Sequence, residues 1–370
     1  MIYFDNAATT GHKPQKVISS VNNALKNLSA NPGRSGHLPS QKAALEIFNV
    51  RKKVSDFFGS DGEETVVFTP NCTTSINYVL KGLLTQKDHV VISDLEHNAV
   101  MRPLKAANID FSTASVSLNN DEDTLNNFMT AIKPHTKMIF CTAASNVLGK
   151  ILPLQKIGEL CRKNNILFGV DAAQAAGVIQ IDMKAMNIDY LCVAPHKGLY
   201  SSMGVGILIA RSPLKNTIIE GGTGTDSISY SQPNILPEML ESGTVNLPGI
   251  VSIGAGIDFV RGYNGKILSY ENKLVIRLYD SLKGGKITFY TNPNNPGYVP
   301  VICFNVENFS SEHVAEILNK RGFALRAGLH CAPTAHRKIQ TVNDGAVRFS
   351  PSIFNNINEV DLLVKTLKNI

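Results

Sequence analysis

Between residues 40 and 210, short β-rich apolar runs alternate with segments whose apolar residues recur every three to four positions. The runs are Thr65–Phe68, His89–Ile92, Phe111–Thr113, Met138–Cys141, Ile166–Val170, Tyr190–Val193 and Gly206–Ala210, and the amphipathic segments include Gln41–Phe57, Ser75–Leu84 and Leu154–Arg162. This alternation predicts an α/β fold with a mostly parallel sheet covered by helices. Residues 216–245, rich in Gly, Ser, Thr and Pro and including Glu220-Gly-Gly-Thr-Gly-Thr-Asp226, read as a long ordered loop. Helical stretches at 249–262 and 269–283 follow. The pattern then changes to strands at Lys286–Tyr290 and Val299–Val306, a helix over Glu312–Lys320 and a last helix ending at Leu367, which predicts a second, α+β domain.

Composition narrows the class. With 370 residues, 43% hydrophobic, 18% charged and no low-complexity run, the chain is expected to be an ordinary globular protein of about two domains. The net charge of +6 is spread out, and its densest clump, Arg51-Lys52-Lys53, reads as a solvated helix face. That argues against nucleic-acid binding and suits small anionic ligands. Six cysteines lack paired CxxC spacing, the first residues lack a signal-peptide pattern, and there is no apolar run of membrane-spanning length. A cytoplasmic protein with reduced thiols and no membrane partner is the expectation. No GxGxxG follows the first strand and no P-loop occurs, so neither dinucleotide nor P-loop nucleotide chemistry is indicated.

Three local patterns carry candidate chemistry. In Val170-Asp171-Ala-Ala-Gln174 an acidic residue ends an apolar strand. It reads as a helix N-cap or as a carboxylate at the ligand-binding edge of the sheet. In Ala194-Pro195-His196-Lys197-Gly198 a lysine follows the next strand, either as a surface turn residue or as a desolvated amine able to form a Schiff base. Together, Asp171 and Lys197 supply what pyridoxal 5'-phosphate needs, a carboxylate for its ring nitrogen and an amine for its aldehyde. Thr69-Pro-Asn-Cys72-Thr73-Thr74-Ser75 leads from a strand into a helix, as an ordinary cap or as a phosphate site built from helix-start amides and hydroxyls.

These motifs, with Tyr3-Phe-Asp-Asn-Ala-Ala-Thr-Thr10, Glu96-His97-Asn98, Ser145-Asn146-Val-Leu-Gly149 and Arg326-Ala-Gly-Leu-His-Cys331, occur in the order found in class V aminotransferase-fold enzymes, and together they resemble the cysteine desulfurases. The likeness runs from residue 3 to about residue 365. It implies a fold type I pyridoxal-phosphate enzyme, with residues 12–255 as the large cofactor domain and residues 1–11 plus 256–370 as the small one. It implies that Lys197 links to the cofactor, Asp171 meets the ring nitrogen, His97 stacks on the ring and serves in acid/base steps, and Gln174 bonds the phenolic oxygen. Thr73, the Cys72 amide and His196 would hold the phosphate. Thr244, in Glu241-Ser-Gly-Thr244-Val-Asn246, would reach the phosphate of a second subunit in a homodimer with shared sites.

By the same resemblance Arg348 grips the substrate carboxylate, Asn146 and Arg326 also bind substrate, and Cys331 takes the sulfur of L-cysteine as a persulfide, leaving L-alanine. Cys331 lies in sequence among Arg326, His330 and Arg348, a setting expected to favour a thiolate. Its Arg-x-Gly-x-His-Cys context is similar to the short-loop, group II desulfurases, and a sulfur-acceptor protein is a possible partner. The chain departs from the family pattern at Ala194-Pro195, where a hydroxyl-bearing residue and glycine are usual, at Thr74, and at Ser201-Ser202-Met203. The run Cys331-Ala-Pro-Thr-Ala-His336 resembles proteins associated with selenium, so L-selenocysteine lyase is the nearest alternative. A class V aminotransferase or epimerase, or a non-catalytic sulfur-relay scaffold, are the others.

Overall fold

A computed structural model describes every residue except 34 and 226, so the end of the Glu220–Asp226 stretch lies outside the described residues. Seven strands form one sheet in the order Val66–Thr69, Gly206–Ala210, Tyr190–Val193, Leu167–Asp171, Thr136–Thr142, His89–Ser93, Asp110–Ala114. Gly206–Ala210 runs antiparallel to both of its neighbours, and the other pairings in the sheet are parallel. The seven expected runs match these strands to within one or two residues at each end.

Most of these strands are buried on both faces, which is why their sequences read as continuous apolar runs. The two faces still separate with the period of two. Val91, Ile139, Phe168, Leu191 and Ile207 face one hydrophobic cluster, while Val90, Ile92, Phe140, Tyr190 and Leu208 face the other. The edge strand Asp110–Ala114 is more exposed and carries an ion pair from Asp110 to Lys133, which discourages further strand pairing.

The long helix Leu38–Phe58 packs along this sheet and corrects one expectation. Lys52 is exposed and Lys53 pairs with Asp258 at 2.7 Å, but Arg51 is buried. It lies four residues after Ile47 on the core-facing side, gives two 2.8 Å hydrogen bonds to Glu241, and also donates to the Val66 carbonyl. Glu241 in turn accepts the Phe68 N–H at 2.6 Å. This largely buried pair ties the long 216–245 segment, which has no helix or strand among its described residues, to the first strand of the sheet.

Four helices were not legible in the pattern: Gln15–Asn27, Asn98–Ala106, Asp121–Ala131 and Pro333–Lys338. Pro333–Lys338 is barely more than one turn, too short to show a period, while Asn98–Ala106 buries Ala99, Val100, Pro103 and Leu104 on one face but contains Pro103, which locally argues against a helix.

Beyond the seven-stranded sheet, Val347–Phe349, Ile302–Val306 and Ile287–Phe289 form an antiparallel sheet packed by helices Lys266–Leu282, Ser311–Lys320 and Ile357–Leu367. Leu274, Leu278, Phe304, Leu318, Phe349 and Leu363 build its core, joined by Phe4 from the other end of the chain. Fully burying Phe4 contributes about 1.5–3 kcal/mol. The short strand Ile2–Tyr3 pairs with Phe323–Ala324, so the N-terminal motif is threaded between the two sheets. No helix among the described residues is long and apolar enough to cross a membrane.

Candidate active site

Because six of the seven strands point the same way, their carboxyl ends share one edge, and the candidate residues follow from that edge. One pocket there is lined by Asn71, Cys72, Thr73, His97, Asn146, Asp171, Gln174, Ala194, His196 and Lys197. Residues from five separate loops are thereby brought to one cavity.

Asp171 ends its strand and is 4% exposed. Its Oδ1 accepts the Ala173 N–H at 2.9 Å and the Cys72 thiol at 3.7 Å. The carboxylate therefore caps a turn rather than a helix, and it also faces the pocket. Burial pushes the Lys197 amine below its ordinary pKa, while the Asp171 charge opposes that fall and Arg348 adds to it. Burial pushes the Cys72 thiol well up, with the Asp171 charge acting in the same direction, so Cys72 is a neutral neighbour of the carboxylate.

The helix Cys72–Leu83 begins three residues earlier than expected. Asn71 is its N-cap, accepting the Thr74 N–H at 2.9 Å, which leaves Cys72 and Thr73 in the amide-rich first turn. Gly206 makes this possible, since a Cβ there would stand 2.4 Å from the Asn71 carbonyl carbon. His97 caps the helix Asn98–Ala106, its Nδ1 accepting the Ala99 N–H at 3.0 Å. That bond assigns the proton of the neutral ring to Nε2. Burial holds its pKa below the ordinary value, with Asp171 opposing.

At the far side, His196 Nδ1 lies 3.0 Å from the Thr9 hydroxyl, and its carbonyl accepts Lys13 Nζ at 3.0 Å. Burial drives His196 down to about 4 and Lys13 down to about 8. Gln174 Nε2 donates to the Ala7 carbonyl at 2.9 Å. The N-terminal Asn-Ala-Ala-Thr-Thr run thus forms a wall of the site.

Arg348 is 1% exposed, and its Nη2 pairs with Asp5 at 2.7 Å while Nη1 donates to the Asn146 carbonyl at 3.2 Å. Its Nε has no hydrogen-bond partner among the described residues. A buried guanidinium with a donor to spare is suited to a carboxylate ligand. Asn146 Nδ2 donates to the His330 carbonyl at 2.8 Å, so the amide joins the pocket wall to the cysteine segment.

Cys331 is exposed, its carbonyl accepting the Asn98 N–H at 2.7 Å beside His97. Arg326 Nη2 lies 3.8 Å from its sulfur, as the sequence reading of a cationic neighbour requires. His330 corrects that reading. Although next to Cys331 in sequence, its ring is buried and hydrogen-bonds His336 and the Arg326 carbonyl, so it gives the thiol no positive charge. Thr244 is exposed and does not line the Lys197 pocket of its own chain.

Two residues quoted in motifs without a role prove central. Asp5 is the partner of Arg348, a contact across 343 positions that no local pattern signals. Glu96 is fully buried, accepting the Ser93 hydroxyl and the Thr142 N–H at 3.0 Å, and burial raises it to about 8. It thereby clamps the strand ends that carry His97 and Asn146.

The donor set fits pyridoxal phosphate: an amine, a carboxylate, an aromatic ring and a helix start around one cavity. Such a site on the carboxyl edge of this sheet defines a lysine-centred α/β enzyme. The family model described as Aminotransferase class-V matches residues 2–363, and the chain belongs to that family. Within it, the chain is 30% identical to the cysteine desulfurase of Shigella sonnei, covering 100% of this chain and 93% of that one. It is 29% identical to a probable cysteine desulfurase of Pyrococcus abyssi, covering 100% and 94%. The solved apo cysteine desulfurase of Thermococcus onnurineus superposes with a TM-score of 0.88 at 29% identity, over 100% of this chain and 94% of that one.

Proposed function

We propose that this protein is a pyridoxal-phosphate-dependent cysteine desulfurase, in which L-cysteine and the Cys331 thiol give L-alanine and a Cys331 persulfide. The observation that carries the reading is one pocket joining Lys197, Asp171 and His97, with the backbone of the exposed Cys331 held beside His97 by the Asn98 N–H to Cys331 carbonyl hydrogen bond. Similarity to the desulfurases named above supports it along the whole chain.

When bound, pyridoxal phosphate supplies an aldehyde for the substrate amine and a ring that accepts the electron pair left at Cα. Cys72, Thr73 and His196 hold the phosphate, and Gln174 bonds the phenolic oxygen. Lys197, whose pKa is lowered by burial, takes a proton from Cα. Asp171 places its carboxyl group against the ring nitrogen. His97 presents an N–H from Nε2 to the face of the site. Arg348, assisted by Asn146, binds the substrate carboxylate. Arg326 stabilises the Cys331 thiolate as it takes the sulfur atom.

The working unit is a homodimer in which Thr244, exposed on its own chain, completes the phosphate site of the other subunit. Residues 12–255 form the cofactor-binding domain, and residues 1–11 with 256–370 the smaller one. An exposed Cys331 can pass its sulfur to a thiol of a carrier protein or small molecule. The six free cysteines suit a reducing, cytoplasmic setting.

The test is mass spectrometry of the cofactor-loaded protein after exposure to L-cysteine, with alanine measured in solution. One added sulfur on Cys331 and matching alanine are expected, and Cys331→Ser should give neither. Alanine formed by Cys331→Ser at the native rate would overturn the reading. The same variant with L-selenocysteine separates a lyase that releases selenium without the thiol.

A further inference from the structure

Behind the cysteine segment lies a line of buried polar groups with no part in the chemistry above. His330 is 2% exposed and His336 is fully buried. His330 Nε2 lies 3.3 Å from the Arg326 carbonyl, His330 Nδ1 lies 3.2 Å from His336 Nε2, and His336 Nδ1 lies 2.7 Å from the Thr341 hydroxyl. A carbonyl can only accept, so His330 carries its proton on Nε2 and offers Nδ1 as an acceptor. His336 must then donate from Nε2, and its bare Nδ1 accepts the Thr341 O–H. The bonds run one way, from Thr341 through both imidazoles to the Arg326 backbone. A second proton on His330 would set its Nδ1–H against the Nε2–H of His336. Burial accordingly pushes His330 down to about 2 and His336 to about 4.

The segment this line supports is strained. His330 and Cys331 are consecutive left-handed residues, with φ of 50° and 56°. Left-handed backbone is disfavoured for any residue carrying a Cβ. The strained pair is otherwise held by the Asn146 and Asn98 donors to the His330 and Cys331 carbonyls. Packing alone would be served better by apolar side chains at 330 and 336, since buried imidazoles are costly unless both nitrogens are satisfied.

We propose that Thr341 and His336 are positioning residues that, through His330, hold Cys331 in its left-handed conformation with its sulfur beside Arg326. The assignment rests on reading Cys331 as the sulfur-accepting thiol. It concerns the placement of that thiol and not the pocket of Lys197, so the two can be tested apart.

The measurement is the rate of iodoacetamide alkylation at Cys331, read by peptide mass spectrometry on the cofactor-loaded protein, beside kcat and KM for L-cysteine. Variants are His336→Leu, Thr341→Val, and His336→Gln, which keeps a donor for His330. His336→Leu and Thr341→Val should slow alkylation and lower kcat by about fivefold or more, through loss of the Arg326–sulfur contact, while KM stays within about twofold. His336→Gln should restore most of the loss. If His336→Leu fails to fold, Thr341→Val decides. Native alkylation rates in folded Thr341→Val, or no rescue by His336→Gln where His336→Leu is impaired, would overturn the relay. Slowed alkylation in a protein that makes no alanine would sink the desulfurase reading and leave the relay standing.

Discussion

Replacing Asp171 with asparagine separates the charge of the site from its shape. The carboxylate is 4% exposed and accepts the Ala173 N–H at 2.9 Å and the Cys72 thiol at 3.7 Å. An amide oxygen in the same rotamer serves both donors, so only the charge is lost. Weakening one charge-assisted backbone hydrogen bond costs about 1 kcal/mol, and relief of carboxylate desolvation acts the other way. The melting temperature should therefore move by no more than about 3 °C. Catalysis should respond far more. Removing one preorganised electrostatic partner costs about 10²–10³ in kcat, equivalent to about 2.7–4 kcal/mol. Lys197 does not confuse the result. Losing Asp171 removes the charge that opposes its downward shift, so its neutral amine becomes more abundant. The assay is alanine release at saturating L-cysteine and cofactor, with a melting curve on the same preparation. A fall of less than about tenfold with the fold intact would refute the assignment of that charge.

Two further outcomes follow from buried ion chemistry. Glu271 is 4% exposed, accepts the Tyr200 hydroxyl at 3.1 Å, and is raised by burial to about 8. The native state then holds a proton that the unfolded chain loses near its ordinary value of 4.5, so stability is greatest below that pH and declines up to about pH 8, by at most about 1.4 kcal/mol per unit. Glu271→Gln should melt above the native protein at pH 8 and close to it at pH 5, and equal melting at both would count against a protonated Glu271. Arg51→Ala leaves the partly buried Glu241 without its cation and should cost about 3 kcal/mol, the low end for a buried pair, with earlier proteolytic cutting within residues 216–245. Unchanged melting and cutting would show that the pair does not anchor that segment.

Much of the sheet could be read from the chain because a strand buried on both faces is an uninterrupted apolar run, and the runs ending in Asp171 and preceding Lys197 are of that kind. Four helices escaped, among them one of six residues and one with an internal proline. Arg51 escaped as well, because a charged clump looks solvated until the partner 190 residues away is known. At the site, the residue types and their order along the chain were legible in the motifs. The direction of the His330 ring was not, because adjacency in sequence says nothing about which way a side chain turns.

The sequence by itself determined which segments become strands and which residues stand at their carboxyl ends, because those follow from period and neighbour chemistry over a few positions. Only the tertiary structure decided that Asp5 meets Arg348, that Asn98 holds Cys331, and that Thr341 reaches His330 through His336. Each of these contacts depends on the direction of a side chain or backbone group within the packed molecule. Those directions are set when the N-terminal strand, the large sheet and the small sheet close on one another, and no local stretch of chain contains that information.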